Sequence, residues 1–174
     1  IAIEPDTGII TDCALTKASG PDNHEAVVGL ALLQEEPAGV RVLGDSAYGT
    51  GAARATLAEL KHVAVIKPLP LRAPVPGGFT SDDFAIDFDA RTVTCPAGHT
   101  VNIAPKGGAR FEKHCRTCPL RAQCTTASRG RNLTISEHEP LLRAARAAAR
   151  TPRWRDEYRQ HRPMVERSIA WLTR

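Results

Sequence analysis

The chain has 174 residues, of which 42% are hydrophobic and 5% aromatic, and its formal net charge is +4. This length suits one domain with a small inserted module. No apolar run reaches transmembrane length and no signal-peptide pattern opens the chain, which argues against a membrane-spanning or secreted protein. We therefore expect a soluble cytoplasmic protein. Because Ile1 lies directly in what reads as a strand, we also expect the chain to be a piece of a longer one.

The charge divides unevenly between the two halves of the chain. Residues 1–90 carry 6 basic and 13 acidic residues, whereas residues 91–174 carry 17 basic and 6 acidic ones. Fifteen of those 17 basic residues are arginine, whose forked guanidinium suits phosphate contacts. The second half therefore predicts nucleic-acid binding. The alternative is an arginine-rich surface that reflects a GC-biased coding sequence.

The first 67 residues predict an α/β unit. Turn chemistry at Asp6-Thr7-Gly8 between two apolar runs predicts a β-hairpin. Helix and strand signals then alternate, which indicates a mixed sheet flanked by helices. In chain order the predicted elements are a hairpin over Ile3–Leu15, a helix over 24–36, a strand over Val40–Leu43, a helix over 52–60 and a strand over 62–67.

One carboxylate stands at the end of a predicted strand. The run Val40–Leu43 is followed by Gly44-Asp45-Ser46-Ala47-Tyr48-Gly49, which reads as a tight exit. Open α/β folds build their sites at the carboxyl ends of strands, so Asp45 is a candidate catalytic residue. The alternative is an ordinary turn, in which Asp and Ser bond to their own backbone.

Residues 68–138 predict an insertion with a cysteine cluster. A proline- and glycine-rich connector leads to a short hairpin and then to the pattern C-x19-C-x2-C-x5-C, formed by Cys95, Cys115, Cys118 and Cys124. The C-x2-C pair is typical of thiolate zinc sites, with His99 and His114 as reserve ligands. A bound metal would staple a module that has few large apolar residues. An iron–sulfur cluster, free thiols and disulfides remain alternatives, and the isolated Cys13 is expected in the core.

Arginines follow the cysteines. The arginines around the cysteine cluster predict contacts to the DNA backbone. The arginines of the helix that begins near Glu139 form either a DNA-facing stripe or a solvated side of that helix. The candidate DNA-binding residues are Arg121, Arg129, Arg131, Arg146, Arg150 and Arg153.

The last predicted helix runs from about Pro152 to Leu172, with Thr151 as its cap and Pro152 at its first position. Tyr158, Arg162 and Glu166 are spaced i, i+4, i+8, so a continuous helix presents them on one face. Pro163 is expected to kink this helix or to begin a new one. Taken singly, each of the three residues is more often part of a solvated or packed helix surface.

These residues together resemble the DDE-type insertion-sequence transposases. The specific pieces are Gly44–Gly49, the run Cys118-Pro119-Leu120-Arg121-Ala122-Gln123-Cys124, and Tyr158, Arg162 and Val165-Glu166-Arg167. The resemblance implies an RNase H-like core, with residues 68–138 inserted before the helices of 139–174. It also implies Mg²⁺- or Mn²⁺-dependent cleavage and strand transfer at transposon ends, with double-stranded DNA as partner, a homodimer as the assembly on DNA, and a nucleoid location.

The resemblance also assigns roles to individual residues. Asp45 resembles the second catalytic carboxylate and Glu166 the third, and both would hold Mg²⁺. Tyr158 and Arg162 resemble the tyrosine and arginine that precede the glutamate and grip a phosphate near the cleaved bond.

Three departures from the family pattern stand beside this match. No residue matches the first catalytic Asp, which we expect before Ile1, so this chain alone is expected to be incomplete for catalysis. Three residues rather than two separate Tyr158 from Arg162, and Thr173 replaces a late lysine.

Two further interpretations remain. The chain could be a non-catalytic DNA-binding module or a decayed transposase. It would then bind DNA through the zinc-binding cysteine module and the arginine-rich helices without cleaving it. Asp6-Thr7-Gly8 could also be half of an aspartic-protease dyad, although the helical second half does not fit a β-rich protease.

Overall fold

The computed structural model describes residues 1–17 and 19–172, which form two compact units. One unit combines Ile1–Leu69 with Pro140–Arg174, and the other is Pro70–Glu139. Thr173 and Arg174 lie outside the described residues, so the expectation about a late lysine does too. Among the residues described, no helix has both the length and the apolar character needed to cross a membrane.

Nine short strands and six α-helices succeed one another along the described chain, besides three 3-10 turns. In order they are β1 (Ala2–Ile3), β2 (Ile10–Asp12), α1 (Glu25–Ala31), β3 (Arg41–Gly44), α2 (Gly51–Glu59), β4 (Val63–Ile66), β5 (Ala85–Asp87), β6 (Thr92–Thr94), β7 (Thr100–Asn102), β8 (Gly108–Arg110), α3 (Glu112–Cys115), α4 (Arg121–Cys124), β9 (Asn132–Thr134), α5 (Glu139–Ala149) and α6 (Pro152–Leu172). This mixture of small sheets and helices is compatible with the predicted α/β class.

Two strand pairs form the sheets of the first unit. β1 and β2 pair antiparallel around the predicted turn, and β3 and β4 pair parallel in register from Arg41↔Val63 to Gly44↔Ile66. A parallel pair needs a crossover connection, and α2 supplies it. Within the described residues the two pairs are separate sheets, whereas the sequence predicted one mixed sheet.

The core of the first unit lies between α2 and β4. Ala53 and Leu57 are one helical turn apart on α2, and both are buried, as are Val65 and Ile66 of β4. The side chain of Thr50 accepts a hydrogen bond from the Ala53 backbone N–H at 3.2 Å, which caps the helix. The α2–β4 contact thus fixes the strand pair that ends beside Asp45.

The second unit has its own core. β5, β6 and β7 form an antiparallel meander, and β8 pairs with β9. Phe84 and Phe111 meet with ring centroids 5.6 Å apart, at the centre of a cluster that also includes Val93 and Leu133. Cys115 and Cys124 complete this cluster. Thiols therefore occupy core positions that a larger domain would fill with aliphatic side chains.

Helix α6 begins as predicted, at a threonine followed by a proline. The Trp154 backbone N–H donates to the Thr151 hydroxyl at 3.3 Å, which caps the helix. Pro152 occupies the first helical position, where a backbone N–H would have no partner within the helix, so its absence in proline costs nothing. Pro163 lies inside the helix, so of the two predicted outcomes, a kink or a new helix, the new helix is excluded. The residues from 152 to 172 form one continuous helix, which meets the condition for a shared face.

Candidate functional site

Asp45 is exposed directly after β3. One of its carboxylate oxygens, Oδ1, accepts a hydrogen bond from the Ala47 backbone N–H at 2.7 Å, so the side chain caps the short 3-10 turn Ser46–Tyr48. The predicted strand end and the predicted turn are thus both present. The capping bond engages only Oδ1, and an exposed carboxylate of this kind suits a hard cation.

Tyr48 connects this turn to α1. Its hydroxyl donates to Oε1 of Glu25 at 3.0 Å. A Cβ added to Gly29 would lie 2.6 Å from the Tyr48 ring, so α1 approaches the ring as closely as only glycine permits. Burial raises the pKa of the Tyr48 hydroxyl, and the bond to Glu25 and the charge of Asp45 raise it further. Sequence analysis missed this pairing, because nothing local links residues 25 and 48.

Replacing Tyr48 with Phe should lower the free energy of unfolding by about 1 kcal/mol at neutral pH, the usual scale for one hydrogen bond. The pKa of Tyr48 is higher in the folded than in the unfolded chain, so its stabilisation is complete below the unfolded pKa of about 10 and is lost as pH rises above it. Urea unfolding of both proteins between pH 7 and 11 should therefore show the difference shrinking above pH 10. A difference that stays constant with pH would show that the hydroxyl contributes nothing through its ionisation.

Three side chains form a continuous stack along α6. The Trp154 and Tyr158 rings are 4.9 Å apart and nearly parallel, and the Arg162 guanidinium lies 5.6 Å from the Tyr158 ring centroid. Arg162 also donates to the Tyr158 hydroxyl through Nη1. Tyr158 and Arg162 are therefore brought together on one face, as their spacing indicates. Glu166 follows one turn later on the same helix, but its side chain lies outside the described part of the chain.

An ion pair that sequence analysis missed attaches α6 to the strand that leads to Asp45. Arg41, the first residue of β3, donates through Nε and Nη2 to the two carboxylate oxygens of Glu157, each at 2.6 Å. This forked geometry is the strong form of an arginine–carboxylate contact. Helix α6 packs against both β3 and β4. The sequence gives no indication of this ion pair, because the two residues are 116 positions apart.

Asp6-Thr7-Gly8 is a turn held by its neighbour. The carboxylate of Glu4 accepts from the backbone N–H groups of Asp6 and Thr7 at 3.1 and 2.7 Å, and from the Thr7 hydroxyl at 2.5 Å. The hydrogen bond from Thr7 is the largest cause that lowers the pKa of Glu4, and the two backbone bonds lower it further. His161 of α6 lies 3.4 Å from Asp6. These contacts are those of a structural turn rather than of a protease dyad.

The four clustered cysteines line one cavity in the second unit. Cys95 follows β6, Cys115 ends α3, Cys118 lies in the connecting loop and Cys124 ends α4. His99 and His114 line the same cavity, and their rings stack with centroids 4.6 Å apart. All four thiols are free of disulfides. The residues that sequence spacing grouped as metal ligands therefore surround one space.

The thiols are not arranged as a finished metal site. Among the described residues, no three His, Cys, Asp or Glu side chains lie close enough together to hold a metal ion as they stand. Burial raises the pKa of the Cys124 thiol, with smaller contributions from the other three cysteines, while the charge of Arg131 opposes the shift. Cys13, which was expected in the core, is instead exposed beyond the end of β2.

The six candidate DNA-binding arginines occupy different environments. Arg121 donates to the carbonyls of Cys115, Ala127 and Ser128, so it ties the loop between α3 and β9 together. Arg131 is 7% exposed and lies 5.5 Å from the Phe84 ring centroid, with Nη1 donating to the Cys124 carbonyl. The expected DNA-facing role of Arg131 does not fit this burial.

The other four arginines divide into exposed and half-buried ones. Arg129, Arg150 and Arg153 are exposed. Arg146 is half-buried on α5, close enough to Arg54 for its charge to add to the burial that lowers the pKa of that guanidinium. Arg54 itself is buried and donates to the Ile66 carbonyl at 2.9 Å. The exposed three remain the best placed for a phosphate backbone.

Comparison with known protein families gives one match. Residues 94–174 match the model of a family described as transposase DDE domain, and this match supports a DDE-type transposase. The matched segment begins at the cysteine cluster and includes the whole of α5 and α6, and it covers slightly less than half of the chain. No curated protein and no solved structure matches the chain.

Proposed function

We propose, from the DDE-type transposase that this match supports, that the chain is part of an enzyme for metal-dependent DNA strand cleavage and strand transfer at transposon ends. Its first unit would be an RNase H-like core. Residues 68–138, a range that nearly coincides with that of the second unit, would be an insertion in this core. The family implies DNA as the partner. We further propose double-stranded transposon ends as the bound DNA, a homodimer on that DNA, and a cytoplasmic, nucleoid-associated location.

The forked ion pair between Arg41 and Glu157 is the observation that carries this proposal. This contact holds α6, the helix that carries Tyr158, Arg162 and Glu166, beside β3, the strand that ends next to Asp45. Asp45 and this helix belong to the same compact unit. The packing supports the assignment of these residues to one site.

The donor set at this position suits Mg²⁺ or Mn²⁺. Asp45 is an exposed carboxylate that keeps a second oxygen beyond the one engaged in capping, and hard divalent ions prefer such oxygen ligands. When bound, a pair of these ions activates a water or a 3′-hydroxyl and stabilises the leaving oxygen of an in-line displacement. Asp45 and Glu166 would hold and orient this centre. Zinc, predicted from the cysteine spacing, plays no part in this chemistry.

Tyr158 and Arg162 would position the DNA. The hydrogen bond and the ring contact hold the Arg162 guanidinium against Tyr158, which restricts its orientation. A guanidinium held in this way is preorganised to donate two parallel hydrogen bonds to a phosphate. The exposed Arg129, Arg150 and Arg153 would add phosphate contacts that do not depend on base sequence.

Anomalous diffraction from Mn²⁺-soaked crystals of the chain tests the proposal directly. We expect a manganese peak between the carboxylates of Asp45 and Glu166, and its loss in Asp45→Asn. The matched control is Glu59→Gln, which makes the same charge change at an exposed residue of α2 and should leave the peak in place. Carboxylates more than about 10 Å apart with no metal would overturn it, because paired ions lie only about 4 Å apart. DNA binding that is salt-dependent but metal-independent would then favour a non-catalytic DNA-binding module.

A further inference from the structure

The cavity among the cysteines gathers residues from four separate places in the second unit. Cys95 lies in a turn closed by the Gly98 N–H donating to the Cys95 carbonyl at 2.8 Å, whereas Cys115 and Cys124 end two short helices. Cys118 lies in the loop between these helices, and its carbonyl accepts from the Arg121 N–H at 3.2 Å. Backbone hydrogen bonds thus fix all four segments around the same space.

The cavity that the four cysteines line is small. It measures about 20 Å³, which is close to the volume that one water molecule needs. Its surroundings are mainly apolar, with Phe79, Phe84 and Phe111 among the lining residues. An apolar wall keeps water from competing for a buried ion and from solvating the thiolates.

The backbone around Cys115 is shaped to approach its sulfur. The Arg131 backbone N–H donates to Sγ of Cys115 at 3.4 Å. Gly130 has φ +94, and a Cβ added there would lie 2.8 Å from Cβ and 3.1 Å from Sγ of Cys115. Only glycine permits this close approach. Hydrogen bonds from surrounding groups orient metal ligands and stabilise their charged form, and this N–H is placed to do so.

We propose that Cys95, Cys115, Cys118 and Cys124 bind one Zn²⁺ as a closed tetrathiolate site that stabilises the second unit. Four thiolates complete the tetrahedral coordination of zinc without another ligand. The thiols close on the ion from the positions they now occupy around it, and each ligand releases its proton to solvent on binding. This site is independent of the transposition chemistry proposed above, because all four ligands belong to the second unit.

The two histidines are not needed as ligands. His99 and His114 stack with an angle of 19° between their rings, and His114 is exposed. Their stacking covers one side of the cavity, which suits a role in shielding the site rather than in binding the metal.

X-ray absorption at the zinc edge, measured on the whole 174-residue chain loaded with one equivalent of Zn²⁺, tests the proposal. We expect four sulfur neighbours at about 2.3 Å. Cys118→Ser should bind less than a tenth as much zinc after dialysis against a competing chelator, whereas Cys13→Ser should retain a full equivalent. Cys13 is the matched control because it is an exposed thiol of the first unit. His99→Ala should keep four sulfur neighbours.

A second measurement protects the test against a variant that fails to fold. Chelation of zinc from the unaltered chain should reduce amide hydrogen-exchange protection within residues 70–139 and leave residues 1–69 unchanged. The proposal is overturned by no retained zinc, by nitrogen or oxygen in place of any of the four sulfurs, or by a visible iron–sulfur chromophore. It is equally overturned if mass spectrometry of the purified chain shows disulfides among the four cysteines.

Discussion

Asp45→Asn in the enzyme proposed above should reduce the proposed cleavage of transposon-end DNA by more than about 100-fold, because even the outer partners of a metal ligand contribute about 10–100-fold. The substitution removes the charge that a divalent ion requires and keeps an oxygen that can accept the hydrogen bond from Ala47. Asn and Asp cap helical turns about equally well, so the turn after β3 should persist. Cleavage is measured on labelled duplex DNA in Mg²⁺, alongside thermal unfolding of both proteins.

Two comparisons make this result specific. Glu59→Gln changes the charge equally at an exposed site and should keep cleavage within about 3-fold, the effect of surface substitutions on folding being small. Asp45→Ala should lose cleavage and, in addition, about 1 kcal/mol of stability, because it removes the cap as well as the charge. If Asp45→Asn cleaves DNA at the rate of the unaltered enzyme, Asp45 is not a ligand of the metal centre.

Phe84→Ala should unfold the second unit. The Phe84 side chain is fully buried, and truncation of a buried phenylalanine costs about 3–5 kcal/mol. A unit of this size has a total stability of roughly 4–10 kcal/mol, so the loss is a large fraction of it. The substitution also leaves the buried Arg131 guanidinium without the ring it lies against. Hydrogen exchange followed by mass spectrometry should show protection lost across β5–β9.

The reciprocal variant tests whether the two units are independent. Leu57 is 1% exposed in the first unit, and Leu57→Ala should cost about 2–5 kcal/mol and remove protection from α2, β3 and β4. Phe88→Ala is the control of matched residue type, since Phe88 is 41% exposed in the second unit and should cost less than about 1 kcal/mol. Loss of protection throughout the chain in both core variants would mean that the two units unfold together.

Local patterns in the sequence predicted the local structure well. The strand before Asp45, the turn after it and the start of α6 at Thr151-Pro152 follow from apolar runs, turn chemistry and capping. The spacing of Tyr158 and Arg162 depends only on helical geometry, and the two side chains do meet. The roles assigned to these residues and to Asp45 in catalysis stay predictions.

Tertiary contacts limited what the sequence could predict. Arg131 looked like one more surface arginine, but its guanidinium is buried against the Phe84 ring and donates through Nη1 to the Cys124 carbonyl. Cys13 looked like a core residue because it lies on a predicted strand, yet β2 ends at Asp12 and is short and exposed. The Arg41–Glu157 pair carries no local signal at all. Burial and long-range pairing depend on which elements meet, and one sequence does not reveal that.

The interrupted course of the first unit has a consequence for synthesis on the ribosome. Arg41 and Glu157 are 116 positions apart, and at about 5–20 residues per second the helix emerges roughly 6–23 s after the strand it binds. Residues 70–139 have been synthesised before α6 emerges. The inserted second unit can therefore fold while the first unit still lacks this helix. A chain terminated just before α6 would contain a folded second unit attached to an incomplete first unit. We expect proteases and chaperones to act on that incomplete unit.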